Sequence, residues 1–199
     1  MMIKFNNLSN ETPFILLKER YEEALNAGQK NIEAISIASF NKEKNEVESR
    51  FVNLKFLEKD KFIFFSNYNS PKSNDFKSHN QISALFYWAE INLQIKIKAE
   101  IKKTSYQYNQ NYFKTRSDKK NALAISSEQS ELITSYEDVV KNYNKAYHEM
   151  DLTICPDYWG GFIFTPYYFE FWEGHESRLN KREVFCKTDG IWKHSFLQP

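Results

Sequence analysis

WGGFIFTPYYFEFWEGHESRLNKR, residues 159–182, is the stretch on which the reading of the fold turns. A glycine pair opens it, an aromatic strand follows, and two arginines four apart, Arg178 and Arg182, come after the strand. Only five arginines (Arg20, Arg50, Arg116, Arg178 and Arg182) occur among 27 basic residues, so lysine is the default cation of this chain. A planar guanidinium grips a phosphate through two parallel hydrogen bonds, which an ammonium cannot do. Arg178 and Arg182 are therefore candidates for holding a flat, phosphorylated ligand.

Upstream of this segment the chain reads as strands bracketed by helices. Thr12-Pro13 suits a helix start, Leu17, Tyr21, Ala24 and Leu25 recur at helical spacing, and Gly28 suits a stop. Strand-like runs follow at Ala34–Phe40, Ser49–Phe56, Lys61–Tyr68 and Ile82–Trp88. Ile95, Ile97, Ala99 and Ile101 alternate with Lys96, Lys98 and Glu100, which predicts a half-buried strand. Thr104 with Gln107, and Ser126 with Gln129, have capping-box spacing and predict two further helix starts. Leu132, Tyr136, Val139, Val140, Tyr143 and Tyr147 would form the apolar face of the second. Downstream, Glu183–Thr188 and Ile191–Phe196 flank Asp189-Gly190, the pair a tight primed hairpin turn requires. Many antiparallel strands with a few helices predict an α+β domain built on a small barrel.

Composition bounds the function. With 199 residues, 17% aromatic, and five Gly and five Pro, the chain has the size and content of one well-packed domain over 1–199. Residues 1–12 read as a loose leading segment. A net charge of +1 implies no nucleic-acid surface. Four histidines without ligand spacing imply no metal site. Cys155 and Cys186 lie far apart and read as two buried free thiols, with a structural disulfide as the alternative. No secretory signal or membrane span is visible, so a cytoplasmic location is expected.

Taken in order, RFVNLK (50–55), FFSNYNSPK (64–72), LFYWAEINLQIKIKAEI (85–101), YFKTR (112–116), SSEQS (126–130), then WGG, EFWEG and RLNKR, the chain resembles the pyridoxamine 5'-phosphate oxidase family. The resemblance implies an FMN-binding split β-barrel, mostly antiparallel, with flanking helices. It also implies a homodimer with FMN at the subunit interface. By position, Arg50, Phe51, Val52, Asn53, Leu54 and Lys55 would line the flavin and its phosphate, with Phe65, Ser66, Lys72, Gln94, Gln129, Ser130, Trp172 and Arg182. Lys55, Tyr112, Arg116 and Lys120 would hold the phosphate of a B6 vitamer, and Arg178 and Asn180 would stand beside its reacting carbon. In the implied reaction a hydride leaves the substrate's C4' carbon for the flavin, giving pyridoxal 5'-phosphate, and dioxygen is reduced to hydrogen peroxide. Arg50 and Lys55 differ by an odd number, so a regular strand would point them to opposite faces; either they reach different parts of the site or the strand is irregular.

The chain departs from the family pattern at several positions. Asn180 stands for a histidine, Pro71 for an arginine, Phe65 for a tyrosine and Lys120 for a serine. The first dozen residues lack the usual substrate-covering segment. These changes fall mostly on the substrate side. They keep open a related oxidase with another cyclic substrate, of phenazine-pathway type, and a non-catalytic flavin- or pyridoxal-phosphate-binding protein. Plainer readings stand beside each residue: Gln129 as the cap partner of Ser126, Trp172 as core, Lys55 and Lys72 as solvated lysines, Tyr112 as packing, and Arg178 and Arg182 as ion-pair partners of Glu173, Glu176 or Glu183.

Overall fold

The computed structural model describes residues 2–199. Its elements run β1 (Lys4–Asn6), α1 (Thr12–Asn26), β2 (Ala34–Asn41), β3 (Glu46–Asn53), β4 (Phe56–Glu58) and β5 (Lys61–Asn67). Then come α2 (Pro71–Ser78), β6 (Gln81–Trp88), β7 (Leu93–Lys103), α3 (Tyr106–Lys114), α4 (Asp118–Ser126) and α5 (Tyr136–Glu149). The chain closes with β8 (Trp159–Glu173), β9 (Lys181–Thr188) and β10 (Ile191–Leu197). This is the expected α+β architecture. The sheet order is β1-β4-β5-β8-β7-β6-β2-β3, with β9 and β10 branching from β8. All pairs are antiparallel except β1 with β4.

β8 is the seam of the molecule. β7 pairs with it from Phe162 to Glu173, β5 pairs with its first half up to Phe164, and β9 pairs from Tyr168 onward. At the change of neighbour the register slips, between Lys98 and Ala99 opposite Tyr168 and Pro166. Proline has no N–H for a ladder, so a bulge is where a long strand tolerates it. Paired on both sides, β8 supplies Phe162, Phe164, Phe169 and Phe171 to the core, all fully buried. Phe14 of α1 closes over them, 5.3 Å edge-to-face on Phe169. A smaller cluster, Phe113, Ala124, Cys155 and Trp159, joins α3 and α4 to the start of β8.

Several sequence expectations are corrected. Residues 2–12 are not loose: Lys4–Asn6 forms a parallel edge strand, and the buried Ile3 donates its N–H to Tyr21 Oη at 3.0 Å. Ser126 ends a helix rather than opening one, and α5 is capped by Ser135, whose Oγ accepts from Asp138 N at 3.1 Å. α3 is capped by Ser105, not Thr104, and Glu11 rather than Thr12 precedes α1. Cys155 is buried but Cys186 is exposed; both are free. The Ser49–Phe56 run is broken at Leu54 and Lys55, where Lys55 N donates to Ile63 O at 2.9 Å. The predicted hairpin holds, with Asp189 at φ 51° and Gly190 at φ 79°.

Candidate active site

The break after β3 settles the parity of Arg50 and Lys55. With the strand ended at Asn53, both line one cavity of about 450 Å3, together with Phe51, Val52, Asn53, Phe65, Ser66, Lys72, Gln129 and Ser130. Ten of the expected cofactor residues, drawn from β3, β5, α2 and the loop after α4, thus meet in one place. Leu54 does not join them; its side chain is fully buried in the main core.

Each polar member has a visible reason for its position. Gln129 Oε1 accepts from Ser66 Oγ at 3.0 Å and from Asn67 N at 3.2 Å, so it pins its loop to the end of β5 instead of capping a helix. Lys72 is buried, not solvated, and its Nζ donates to Ser66 Oγ at 3.2 Å and Ser70 Oγ at 3.1 Å. Burial pushes its ammonium down to about 8 and the nearby Arg50 charge adds to this, while Asp75 opposes it. Arg50 donates Nη1 to Ser39 Oγ at 2.6 Å and pairs Nη2 with Glu48 at 3.2 Å and Asp75 at 3.4 Å.

A second cavity of about 230 Å3 abuts the first through Phe65, Ser66 and Gln129 and adds Arg116, Lys120 and Trp159. No acidic residue lines it. Aromatic rings set its wall: Phe65 stacks 3.9 Å from Tyr112 and 5.3 Å from Trp159, and the Arg116 guanidinium lies 4.1 Å over Trp159. Arg116 Nη2 donates to Lys120 O at 3.0 Å, but its buried Nη1 has no hydrogen-bond partner. Burial lowers the pKa of Arg116. Lys55 is lowered first by burial, with Lys120 and Arg116 adding repulsion and Glu33 opposing. Three cations therefore converge where one buried guanidinium nitrogen awaits an acceptor.

The remaining expected residues lie elsewhere. Gln94, Trp172 and Arg182 stand in one row across β7, β8 and β9, since Gln94 pairs with Trp172 and Trp172 with Arg182. They line a separate cavity of about 230 Å3 that shares no residue with the first two. Arg182 does form an ion pair, but with Glu170: Nε and Nη2 reach Oε1 at 2.8 and 2.7 Å. Lys96 and Tyr168 bond the other oxygen of that buried carboxylate, both at 3.0 Å. Arg178 and Asn180 occupy the loop between β8 and β9 and line none of these cavities. Arg178 is exposed at φ 62°, and Asn180 Oδ1 accepts from His175 N at 3.0 Å. Trp159, Asn67 and Ser127 were not foreseen as lining residues; the Gly pair after Trp159 was the available signal.

Residues 159–199 match the family model described as the pyridoxine 5'-phosphate oxidase C-terminal dimerisation region. The chain is 33% identical over 195 residues to a pyridoxine/pyridoxamine 5'-phosphate oxidase of Colwellia psychrerythraea, covering 96% of this chain and 88% of that one. The chain belongs to the pyridoxine/pyridoxamine 5'-phosphate oxidase family. Members of this family are FMN-dependent oxidoreductases. The namesake from Cytophaga hutchinsonii is 36% identical over 167 residues, covering 82% of this chain and 77% of that relative. Among solved structures, PhzG from Burkholderia lata, in complex with tetrahydrophenazine-1-carboxylic acid, superposes with a TM-score of 0.86 at 24% identity over 94% of this chain and 92% of that one. A pyridoxamine 5'-phosphate oxidase-related, FMN-binding protein from Nostoc punctiforme gives 0.74 at 11% identity, over 92% and 97%. Both likenesses bear out the split-barrel fold. Among the described residues no helix is long and apolar enough to cross a membrane.

Proposed function

We propose that the protein is an FMN-dependent oxidase that converts pyridoxamine or pyridoxine 5'-phosphate to pyridoxal 5'-phosphate, working as a homodimer. The observation that carries this reading is the pair of abutting cationic cavities joined at Phe65. The first fits FMN on its own chemistry. Arg50, Lys72 and Lys55 suit a phosphate, and the buried Lys72 ammonium bonds hydroxyls rather than a carboxylate. Gln129 uses its oxygen internally and leaves its Nε2 to donate to a ring edge. The second cavity, free of acidic side chains and holding the unpartnered Arg116 nitrogen, suits the phosphate of a substrate. When bound, FMN supplies the two-electron chemistry, drawing electrons from the substrate and passing them to dioxygen. The chain's part is to anchor both phosphates, hold the rings against Phe65 and its neighbours, and exclude water.

A second subunit is invoked for the Gln94–Trp172–Arg182 row, which stands apart from the main cavity within one chain. Edge strand β3 exposes 72% of Val47 and 75% of Phe51, apolar surface that a partner would cover. The dimerisation description of the family model over residues 159–199 supports the same arrangement.

Anaerobic mixing of the FMN-loaded protein with pyridoxamine 5'-phosphate tests the reading. Bleaching of the flavin that reverses in air is expected. Protein that cannot be loaded with FMN would overturn the cofactor assignment. A flavin that dithionite reduces but B6 phosphates do not would overturn the substrate and favour another cyclic one. That second reading draws on the loop at Asn180, whose acceptor is spent on His175 N.

A further inference from the structure

We propose that Asp75 is a positioning residue for the cofactor phosphate: from behind the cavity it holds Arg50 in place and offsets part of the positive charge that Arg50 and Lys72 bring there. The inference rests on the FMN reading above. Asp75 is 1% exposed on α2, one turn after Lys72, and does not line the cavity. Its Oδ2 accepts from Ser39 Oγ at 2.7 Å and from Arg50 Nη2 at 3.4 Å, and its Oδ1 accepts from Asn41 Nδ2 at 2.9 Å. Ser39 Oγ in turn accepts from Arg50 Nη1 at 2.6 Å. The guanidinium is thus held through two of its nitrogens, one directly and one through the serine.

The second role follows from charge. Lys72 bonds only hydroxyls, so it feels Asp75 through space rather than by contact. Arg50 and Lys72 are like charges in a poorly solvated pocket, and of the two only the ammonium readily gives up its proton. The charged groups around Lys72 are Arg50 and Glu48 from β3, Lys55 beyond that strand, and Asp75 on its own helix. From β2 come Ser39 and Asn41, from β5 Ser66, and from the loop after α4 Gln129 and Ser130, none of which titrates. Asp75 is the fully buried acidic residue of this set, whereas the Glu48 side chain is 41% exposed.

The test measures FMN affinity of the apoprotein by quenching of flavin fluorescence from pH 7 to pH 9.5, above the second phosphate ionisation at about 6. Wild-type affinity should fall as pH rises through the Lys72 ionisation. In Asp75→Asn that fall should move to lower pH, leaving binding weaker than wild type on the alkaline side. Removing a negative charge alone would tighten anion binding at every pH. An unmoved midpoint, whatever the affinity, therefore overturns the proposal. Should Asp75→Asn not fold, Ser39→Ala serves: it breaks the relay but keeps the carboxylate. It should weaken FMN several-fold with the midpoint unchanged, and unaltered affinity would overturn the proposal. A wild-type protein with no affinity for FMN at any pH would instead overturn the cofactor reading.

Discussion

Arg178 and Arg182 look equivalent in the sequence, yet their surroundings differ and so do the expected effects of removing them. Arg178 is exposed, so Arg178→Ala should leave thermal stability and FMN content unchanged while lowering turnover strongly. Steady-state kinetics beside a melting curve would check this; a lost fold with lost turnover would contradict it. Arg182 makes two charge-assisted bonds to Glu170. Arg182→Ala should weaken FMN by roughly 1.5–3 kcal/mol, measured by flavin fluorescence, if the guanidinium also serves the ligand. Arg182→Lys separates the two roles by restoring a charge for Glu170 without the fork. Lys72 has a different signature. Its folded pKa, about 8, lies below the ordinary 10.5. Between these values the unfolded chain binds more protons than the folded one, so stability of the apoprotein should rise as pH increases from about 8 to about 10.5. Denaturant midpoints across that range read the slope, and Lys72→Met should flatten it. The residue identities were legible; that Lys72 is buried was not, because lysine is usually solvated and α2 has no periodic apolar face to announce itself.

At the scale of elements, side-chain bonds fix the join between α3 and β8. Asn109 is buried on α3; its Oδ1 accepts from Gly161 N at 2.9 Å and Thr104 Oγ1 at 2.5 Å, and its Nδ2 donates to Tyr68 Oη at 3.0 Å. A Cβ on Gly161 would come within 2.6 Å of Thr104 Oγ1, and one on Gly160 would collide with Asn109 Nδ2 and Tyr68 Oη. Gly161→Ala should therefore destabilise the fold by about 1–3 kcal/mol, seen as a lower denaturant midpoint. The Gly pair was visible in the chain, and so were β2, β5, β6, β7 and the Asp-Gly hairpin, because strand alternation and turn chemistry are local. The capping readings failed at Thr104 and Ser126 for an equally physical cause. A serine or threonine with glutamine three residues on fits a helix start, but Thr104 Oγ1 donates to Asn109 and Gly161 instead, and Gln129 bonds Ser66 and Asn67.

At the scale of the whole molecule, the two groups of expected cofactor residues occupy separate cavities of one chain. If two subunits complete one site, Lys72→Ala and Arg182→Ala chains, each impaired in holding FMN, should complement when unfolded and refolded together. Random pairing would restore about a quarter of the sites, each composed of an intact half from either subunit. Flavin content and turnover of the mixture against the separate variants would show it, and no recovery would argue for a site within one subunit. The chemical inventory was set by the sequence alone: scarce arginines, an aromatic strand behind a glycine pair, and motif order sufficient for family membership. Strand periodicity and turn residues likewise sufficed for the α+β class, since both depend on near neighbours. Tertiary structure decided what depends on distant ones. It broke β3 so that Arg50 and Lys55 could face one cavity, buried Lys72 above Asp75, and left Arg116 with a nitrogen unpaired. It also set Gln94, Trp172 and Arg182 in a row across three strands. Burial and convergence are properties of packed surfaces, and no local pattern in the chain encodes them.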